Sequence, residues 1–288
     1  TYIWTDTSLF TMRFIGQPLT FGFQQVGTNC GLIGQNAALE VDGAAYWLSE
    51  NGFFRYSGSL ETMTCLVEDF VYNDLNTTAN QLINVGLNNL FGEITWFYCT
   101  ESSTVVNRCV TYNYQDSSPQ RPVWTTGTLA RGSWTDSSVF GLPHATFFNA
   151  SDDSSFDVQG NTEGSTIYFE HEKGTDEALA NGVNAVTSNI ESGDFDITQA
   201  RSSTGQQTGV ATFKGDGEFL MKIRRFIPDF LSQTGNTQVT LQLRNYPNSS
   251  QASSPLGPFT ITSSTDKVDT RARARAISLK VANTAVGQ

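Results

Sequence analysis

The chain has 288 residues and a formal net charge of −11, with 38% hydrophobic and only 16% charged residues. This length allows one large all-β domain or two domains, and low charge with many Thr, Ser, Asn, Gln and aromatic residues favours strands over helices. The acidic balance excludes a protein that grips nucleic acid over its whole surface, and no apolar run approaches the ~20 residues of a membrane-spanning helix.

Residues 1–60 are predicted to form four or five short strands separated by tight turns. The segments with this pattern are Tyr2–Trp4, Leu9–Phe14, Leu19–Phe23, Leu39–Val41 and a hairpin over Ala44–Gly58. Asn51-Gly52 predicts the hairpin turn, in the form that needs positive φ at both central residues. Both arms are aromatic, so the hairpin must bury its faces against other sheets.

One short helix is predicted within Thr64–Asn89. Val67, Phe70, Val71 and Leu75 recur at helical spacing, and two acidic residues fall in the first turn, where they suit the helix dipole. We expect this helix to end between Asn73 and Asn76.

Two further strand clusters follow the helix. Glu93–Thr100 and Arg108–Tyr114 form one, and Ala145–Phe148 and Thr166–Glu170 belong to the other. A repeated aromatic strand–turn–strand unit at irregular spacing suggests blades of a partial β-propeller. We therefore assign residues 1–188 to propeller blades, in a propeller that this stretch leaves incomplete.

The segment Thr175–Asn189, which is rich in polar and small residues, is predicted to be a linker or loop. Residues 189–288 are predicted to form a β-sandwich-like domain. Its five predicted strands are Val210–Lys214, Phe219–Phe226, Thr237–Asn245, Pro258–Ser263 and Arg271–Asn283. The predicted fold class is therefore all-β: a partial β-propeller, a C-terminal sandwich-like domain and one short helix.

Charge is distributed unevenly between the two ends of the chain. Residues 219–288 hold nine Lys and Arg against three Asp, a balance of +6, whereas residues 1–218 carry a balance of −17. At period 2, Arg271, Arg273 and Arg275 share one strand face, which continues as the apolar residues Ile277, Leu279 and Val281. The part of this face that carries the three arginines is expected to bind carboxylates of a neighbouring subunit, or phosphate. The alternative is that it is a solvated strand face. Arg224 and Arg225 join these three as candidates for a subunit interface or a channel-facing surface.

The sequence offers no pattern for catalysis or for a metal. Cys30, Cys65, Cys99 and Cys109 form no C-x-x-C pair, and the chain has only two His, His144 and His171. Reduced, buried thiols are expected, although Cys99 and Cys109 could face each other across a hairpin. There is no G-x-S-x-G, no nucleotide fingerprint and no Ser/His/Asp pattern, so we expect no enzyme and no cofactor.

Three local motifs have simple structural interpretations. His171, between Glu170 and Glu172, is predicted to lie on a solvated turn, because residues that alternate across a strand cannot converge on a metal. Asp152, Asp153 and Asp157 lack the spacing of a calcium loop. Gly215-Asp216-Gly217 is predicted to be a turn, since no helix follows it to bind phosphate.

Several stretches, in order along the chain, resemble the tail hub or nozzle proteins of short-tailed phages, the packaged-DNA stabilisation family. They are Val67–Val71, Gly193–Ile197, Phe219–Phe230, Thr234–Asn236, Arg244–Pro247 and Lys267–Arg273. Related chains usually have Gly and Gln where this one has Ala274 and Ala276.

This resemblance implies a β-propeller with extra β domains, a homohexameric tube and residence in the virion after synthesis in the host bacterial cytoplasm. The implied partners are portal and head–tail adaptor proteins, tail fibre or tailspike proteins, and double-stranded DNA passing without sequence-specific binding. The alternative is a carbohydrate-binding or polysaccharide-degrading propeller that acts on the host surface, with exposed aromatic residues as sugar platforms.

Overall fold

The computed structural model describes residues 1–136, 139, 141–148, 166–174, 176–179, 182–195, 219–246 and 254–283. The described parts are mostly strand, which confirms the all-β class. Contacts divide the chain into two compact units, Thr1–Lys173 and Gly174–Gln288. This division differs from the predicted boundary between residues 188 and 189.

The described part of the first unit contains four antiparallel sheets. The first consists of β1 (Tyr2–Trp4), β2 (Ser8–Gly16) and β3 (Thr20–Thr28), and the second of β4 (Ala38–Val41), β5 (Ala44–Ser49), β6 (Gly52–Tyr56) and β7 (Leu60–Thr62). The third consists of β8 (Asn84–Asn88), β9 (Glu93–Tyr98), β10 (Arg108–Asn113) and β11 (Trp124–Gly127), and the fourth of β12 (Ser133–Thr135), β13 (His144–Phe148) and β14 (Thr166–Glu170). The second and third sheets are four-stranded meanders, the form of a propeller blade. Their closure into a propeller stays a prediction.

The hairpin of β5 and β6 forms as predicted, but its turn does not. Ser49 pairs with Gly52, so the two-residue loop is Glu50-Asn51, and Gly52 is already in the return strand with φ +130°. The turn with positive φ at both central residues is one connection earlier, at Asp42 (φ +50°) and Gly43 (φ +78°). Cross-strand register, which the sequence does not display, decides which residues of such a stretch form the loop.

The main core of the first unit lies between the second and third sheets, with the helix α1 (Glu68–Asp74) packed against it. The helix forms as predicted, and part of its predicted apolar face is buried: Val71 is fully buried and Leu75 is 6% exposed. Phe70 is 46% exposed and lies under the Arg108 guanidinium instead. A helix of two turns presents only a narrow face to the core, so one of its apolar residues remains outside.

A 3₁₀ helix (Thr77–Leu82) follows α1 and leads into β8. Asn76 caps it, since its side-chain oxygen accepts a hydrogen bond from the backbone N–H of Thr78 at 3.0 Å. This cap satisfies one of the donors that a helix start leaves unpaired.

The second unit contains a hairpin of β15 (Asp176–Leu179) and β16 (Gly182–Ala185) and two further sheets. One has the order β17-β22-β19-β20, formed by Ser188–Glu191, Ala276–Asn283, Thr237–Arg244 and Ser254–Ile261, and the other pairs β18 (Met221–Phe226) with β21 (Val268–Ala274). The interpretation of residues 175–189 as a linker is therefore wrong. Backbone pairing needs no apolar side chains, so a small, polar segment can still form strands. The predicted strand Val210–Lys214 lies outside the described residues.

These two sheets of the second unit pack face to face. Met221, Ala272 and Ala274 of the two-stranded sheet share a core with Leu241 and Ile277 of the four-stranded one. This two-layer packing agrees with a sandwich-like arrangement.

The predicted continuous strand Arg271–Asn283 is broken at Arg275. The chain bends there and changes sheets, because β21 pairs with β18 whereas β22 pairs with β17 and β19. The backbone N–H of Arg275 donates to the carbonyl oxygen of Arg244 at 3.0 Å. The two-residue alternation does not pass through the bend: Ala276, Ile277 and Ser278 are all buried in succession.

Candidate interaction surface

A two-stranded sheet, β18 with β21, carries most of the predicted Arg candidates. On its inner face Ala272 and Ala274 are 1% and 0% exposed and Met221 is buried, whereas the alternating residues Arg271 and Arg273 are exposed. Within this strand the period of two keeps Arg271 and Arg273 on one face, as predicted, and the structure shows that the alanine face is the one that packs in the core.

The outward side, which we call the basic face, consists of Lys222, Arg224, Arg225, Arg271 and Arg273. Lys222 lies directly opposite Arg273 across the two strands, and Arg225 lies opposite Asp269. The register shifts between Ile223 and Arg225, so Arg224 occupies a bulge. Both Arg224 and Arg225 are exposed as a result.

Only part of this charge is neutralised within the described chain. The Arg225 Nε lies 2.6 Å from a carboxylate oxygen of Asp269, and this hydrogen bond holds the pKa of Asp269 below its usual range and raises the pKa of Arg225. Arg271 and Arg273 form no ion pair with any described residue. Since like charges directly across strands repel, the Lys222–Arg273 pair favours a bound anion or carboxylate.

Arg275 does not belong to the basic face, contrary to the prediction that all three arginines share it. It is half-buried at the bend between β21 and β22. Nearby, Arg244 forms an ion pair with Asp194 at 3.3 Å. The bend removes Arg275 from the alternation that keeps Arg271 and Arg273 together.

His171 is not solvated, so that prediction is wrong. Its ring packs against Trp134 at 4.5 Å between centroids, and its Nε2 accepts a hydrogen bond from the Arg131 Nε at 2.9 Å. Burial, followed by the charge of Arg131, lowers the pKa of His171 to about 4. His171 is therefore a neutral, structural residue at pH 7.

The two acidic residues next to His171 in the sequence have separate partners. Glu170 pairs with Lys173, whereas Glu172 accepts a hydrogen bond from the Asn88 side chain at 2.9 Å. The three side chains do not converge, as their alternation predicts. Across the described ranges, no group of three potential metal ligands is found.

The four thiols are all free. Cys109 pairs with Phe97 in the sheet and not with Cys99, so the two thiols do not face each other across the hairpin. Burial raises the pKa of Cys99 and of Cys109 to about 11 and that of Cys65 to about 12. Such thiols stay protonated and are poor nucleophiles at neutral pH.

Asp152, Asp153, Asp157 and the segment Gly215-Asp216-Gly217 lie outside the described residues. In the part of the chain that the structure describes, no helix is both long enough and apolar enough to cross a bilayer.

A cleft that the sequence did not predict lies between the second and third sheets, and we call it the tyrosine cleft. It has a volume of about 260 Å³, and its lining includes Tyr46, Tyr112, Tyr114, Arg55 and Glu61. The Arg55 Nη1 lies 3.3 Å from a Glu61 oxygen, and the guanidinium carbon is 5.8 Å from the Tyr46 ring centre. The alternation of Tyr112 and Tyr114 in one strand was visible in the sequence. Their approach to Arg55 depends on how the two sheets pack.

No protein-family model matches this chain, and its sequence matches no curated protein.

Proposed function

We propose that the chain is a structural virion protein, a subunit of the tail hub or nozzle of a short-tailed phage, with no catalytic activity. In this role it closes the portal channel, retains packaged DNA and conducts it at infection. The observation that carries the proposal is the basic face of β18 and β21, in a chain whose first 218 residues have a charge balance of −17. The sequence resemblance supports the same assignment.

The basic face suits a contact between subunits. Arg271 and Arg273 are exposed and have no ion-pair partner among the described residues. Guanidinium groups bind carboxylates through two parallel hydrogen bonds, and acidic side chains are abundant in the rest of the chain. A head-to-tail contact between unlike surfaces of identical subunits closes into a ring when the rotation permits.

The overall charge suits a conduit. A channel that passes DNA must not hold it, and a wall without excess cations avoids the counterion release that drives phosphate binding. The proposal therefore assigns the basic face to the subunit interface and not to the DNA path. The proposed assembly has six subunits. It contacts portal and head–tail adaptor proteins and tail fibres or tailspikes, and double-stranded DNA passes through it.

Assembly is the direct test. Native mass spectrometry and electron micrographs of the purified chain are expected to show six-fold rings. A monomer that cleaves polysaccharide would contradict the proposal.

A second candidate function, carbohydrate binding at the host surface, is favoured by the tyrosine cleft. Aromatic rings beside a paired Arg and Glu offer a stacking face together with hydrogen-bond donors and acceptors for hydroxyl groups. Calorimetric titration with host-surface polysaccharide separates the two functions. Binding that is lost in Tyr114→Ala, by a chain that forms no ring, would favour the second.

A further inference from the structure

The distal half of the hairpin formed by β2 and β3, which we call the arm, projects beyond the packed part of the first unit. Leu9 and Thr11 at its base are 0% and 5% exposed, whereas Phe14 and Leu19 are 73% and 71% exposed. At about 3.3 Å per residue, the arm extends roughly 15 Å past Thr11. A two-stranded ribbon of this kind has little stability in water by itself. Exposed apolar surface on such a ribbon marks a site of interaction with another molecule or with a membrane.

Apolar side chains lie on both faces of the arm and at its tip. Phe14 and Phe21 are direct cross-strand partners with ring centroids 6.0 Å apart, and Phe23 continues their face. On the opposite face the side chain of Ile15, 56% exposed, covers Gly22, where an added Cβ would be 3.1 Å from the Ile15 Cγ2. Leu19 lies in the connection between the strands. A flat protein surface would cover only one of these faces, whereas a medium that surrounds the tip covers all of them.

The arm carries little charge, a property that it shares with residues 230–265 of the second unit. Between Asp6 and Glu40 there is no acidic residue, and Arg13 is the one cation, although the whole chain carries 28 Asp and Glu. Carboxylates resist transfer out of water, so a segment without them enters an apolar phase at lower cost. Arg13, at the level where the arm emerges, is positioned to contact lipid phosphates.

We propose that the arm inserts its tip into the interfacial region of a lipid bilayer. The unpaired N–H and C=O groups along the outer edges of a two-stranded ribbon limit its depth, because they find no partners in hydrocarbon. Insertion therefore stops at the boundary between headgroups and acyl chains, with Phe14, Leu19 and Phe21 buried and the base of the arm in water. This inference does not rest on the proposed function.

Flotation of the full chain with phosphatidylcholine vesicles tests the proposal. The chain is expected to float with the vesicles, and binding should persist at high salt because apolar burial drives it. Leu19→Ser and Phe14→Ser should each weaken vesicle binding by about tenfold, the value of one inserted apolar side chain. Leu231→Ser is the matched control, since Leu231 is a fully exposed leucine of the second unit and should not affect binding.

The experiment distinguishes insertion into lipid from association between copies of the chain. If the wild type does not float, or if Leu231→Ser weakens binding as much as the tip variants do, the proposal is overturned. It is equally overturned if Leu19→Ser changes only the sedimentation coefficient, since the arm would then bind a second copy. Fluorescence of Leu19→Trp gives an independent measurement: brominated lipid should quench it strongly, and should leave the added fluorescence of Leu231→Trp unchanged.

Discussion

The indole N–H of Trp96 donates a hydrogen bond to the carbonyl oxygen of Ala37, with 3.0 Å between the two atoms. Trp96 belongs to the third sheet, and Ala37 directly precedes the second, so this buried bond joins the two. Trp47, Trp124 and Trp134 likewise donate to the backbone oxygens of Cys30, Thr64 and Leu87. Each of these tryptophans fixes one strand against a segment distant in sequence.

Trp96→Phe is expected to destabilise the protein by about 1–3 kcal/mol, from the lost hydrogen bond and the smaller ring. Trp4→Phe is the matched control, because the indole N–H of Trp4 is buried without a partner among the described residues. Removing that donor should cost about 1 kcal/mol less than the change at Trp96. Denaturant unfolding measures both, and equal losses would contradict the role of the Trp96 bond.

Acid should destabilise the fold through His171. Burial, Arg131 and His144 lower its pKa from 6.5 to about 4, so between these pH values the unfolded chain binds a proton that the folded one does not. The free energy of unfolding therefore falls as the pH decreases through this window and is unaffected above it. After discounting for partial solvent exposure, we expect a loss of about 2 kcal/mol.

The contribution of His171 is separated from that of the carboxylates by His171→Asn. This variant should show a smaller loss of stability than the wild type between pH 6.5 and 4. Parallel pH profiles for the two proteins would refute the assignment.

Gly86→Ala should destabilise the first unit by about 1–3 kcal/mol through overpacking. A Cβ on Gly86 would be only 2.5 Å from the Trp134 Cγ, and this ring is held by its hydrogen bond to Leu87. Gly132→Ala is the control, because its Cβ would meet nothing nearer than the Thr146 carbonyl oxygen at 3.6 Å. Thermal unfolding should show a lower midpoint for the Gly86 variant alone.

The double variant Arg271→Ala/Arg273→Ala should prevent ring assembly while changing the stability of the single chain by less than about 0.5 kcal/mol. Both guanidinium groups are exposed, and removing Arg273 relieves its repulsion with Lys222. Arg225→Ala should affect assembly less, since Asp269 already pairs with Arg225 within the chain. Native mass spectrometry measures the outcome. Intact rings with altered DNA retention would show that these arginines bind DNA.

Local patterns predicted local structure well. Alternation located most strands of the first unit, although not β7, β8, β11 and β12, and helical spacing located α1. The same alternation predicted that Arg271 and Arg273 share one face of their strand, and both are exposed there. In each case the period of the side chains and the burial of apolar groups are properties of a single segment.

Three features were beyond local patterns. The loop at Glu50-Asn51 depends on cross-strand register, and the bend at Arg275 depends on which sheet each half of the segment joins. His171 is half-buried because residues from other segments, Trp134 and Arg131, cover it. Each of these outcomes is a property of a pairing between segments.

The all-β class, the short helix and the outward direction of Arg271 and Arg273 could be predicted before the structure was known, because they follow from periodicity and burial within one segment. The tertiary structure separated Arg275 from the basic face, brought Arg55 to the tyrosines of the cleft and left the arm without a packing partner among the described residues. These arrangements arise from contacts between segments far apart in the chain, and no short-range pattern contains them.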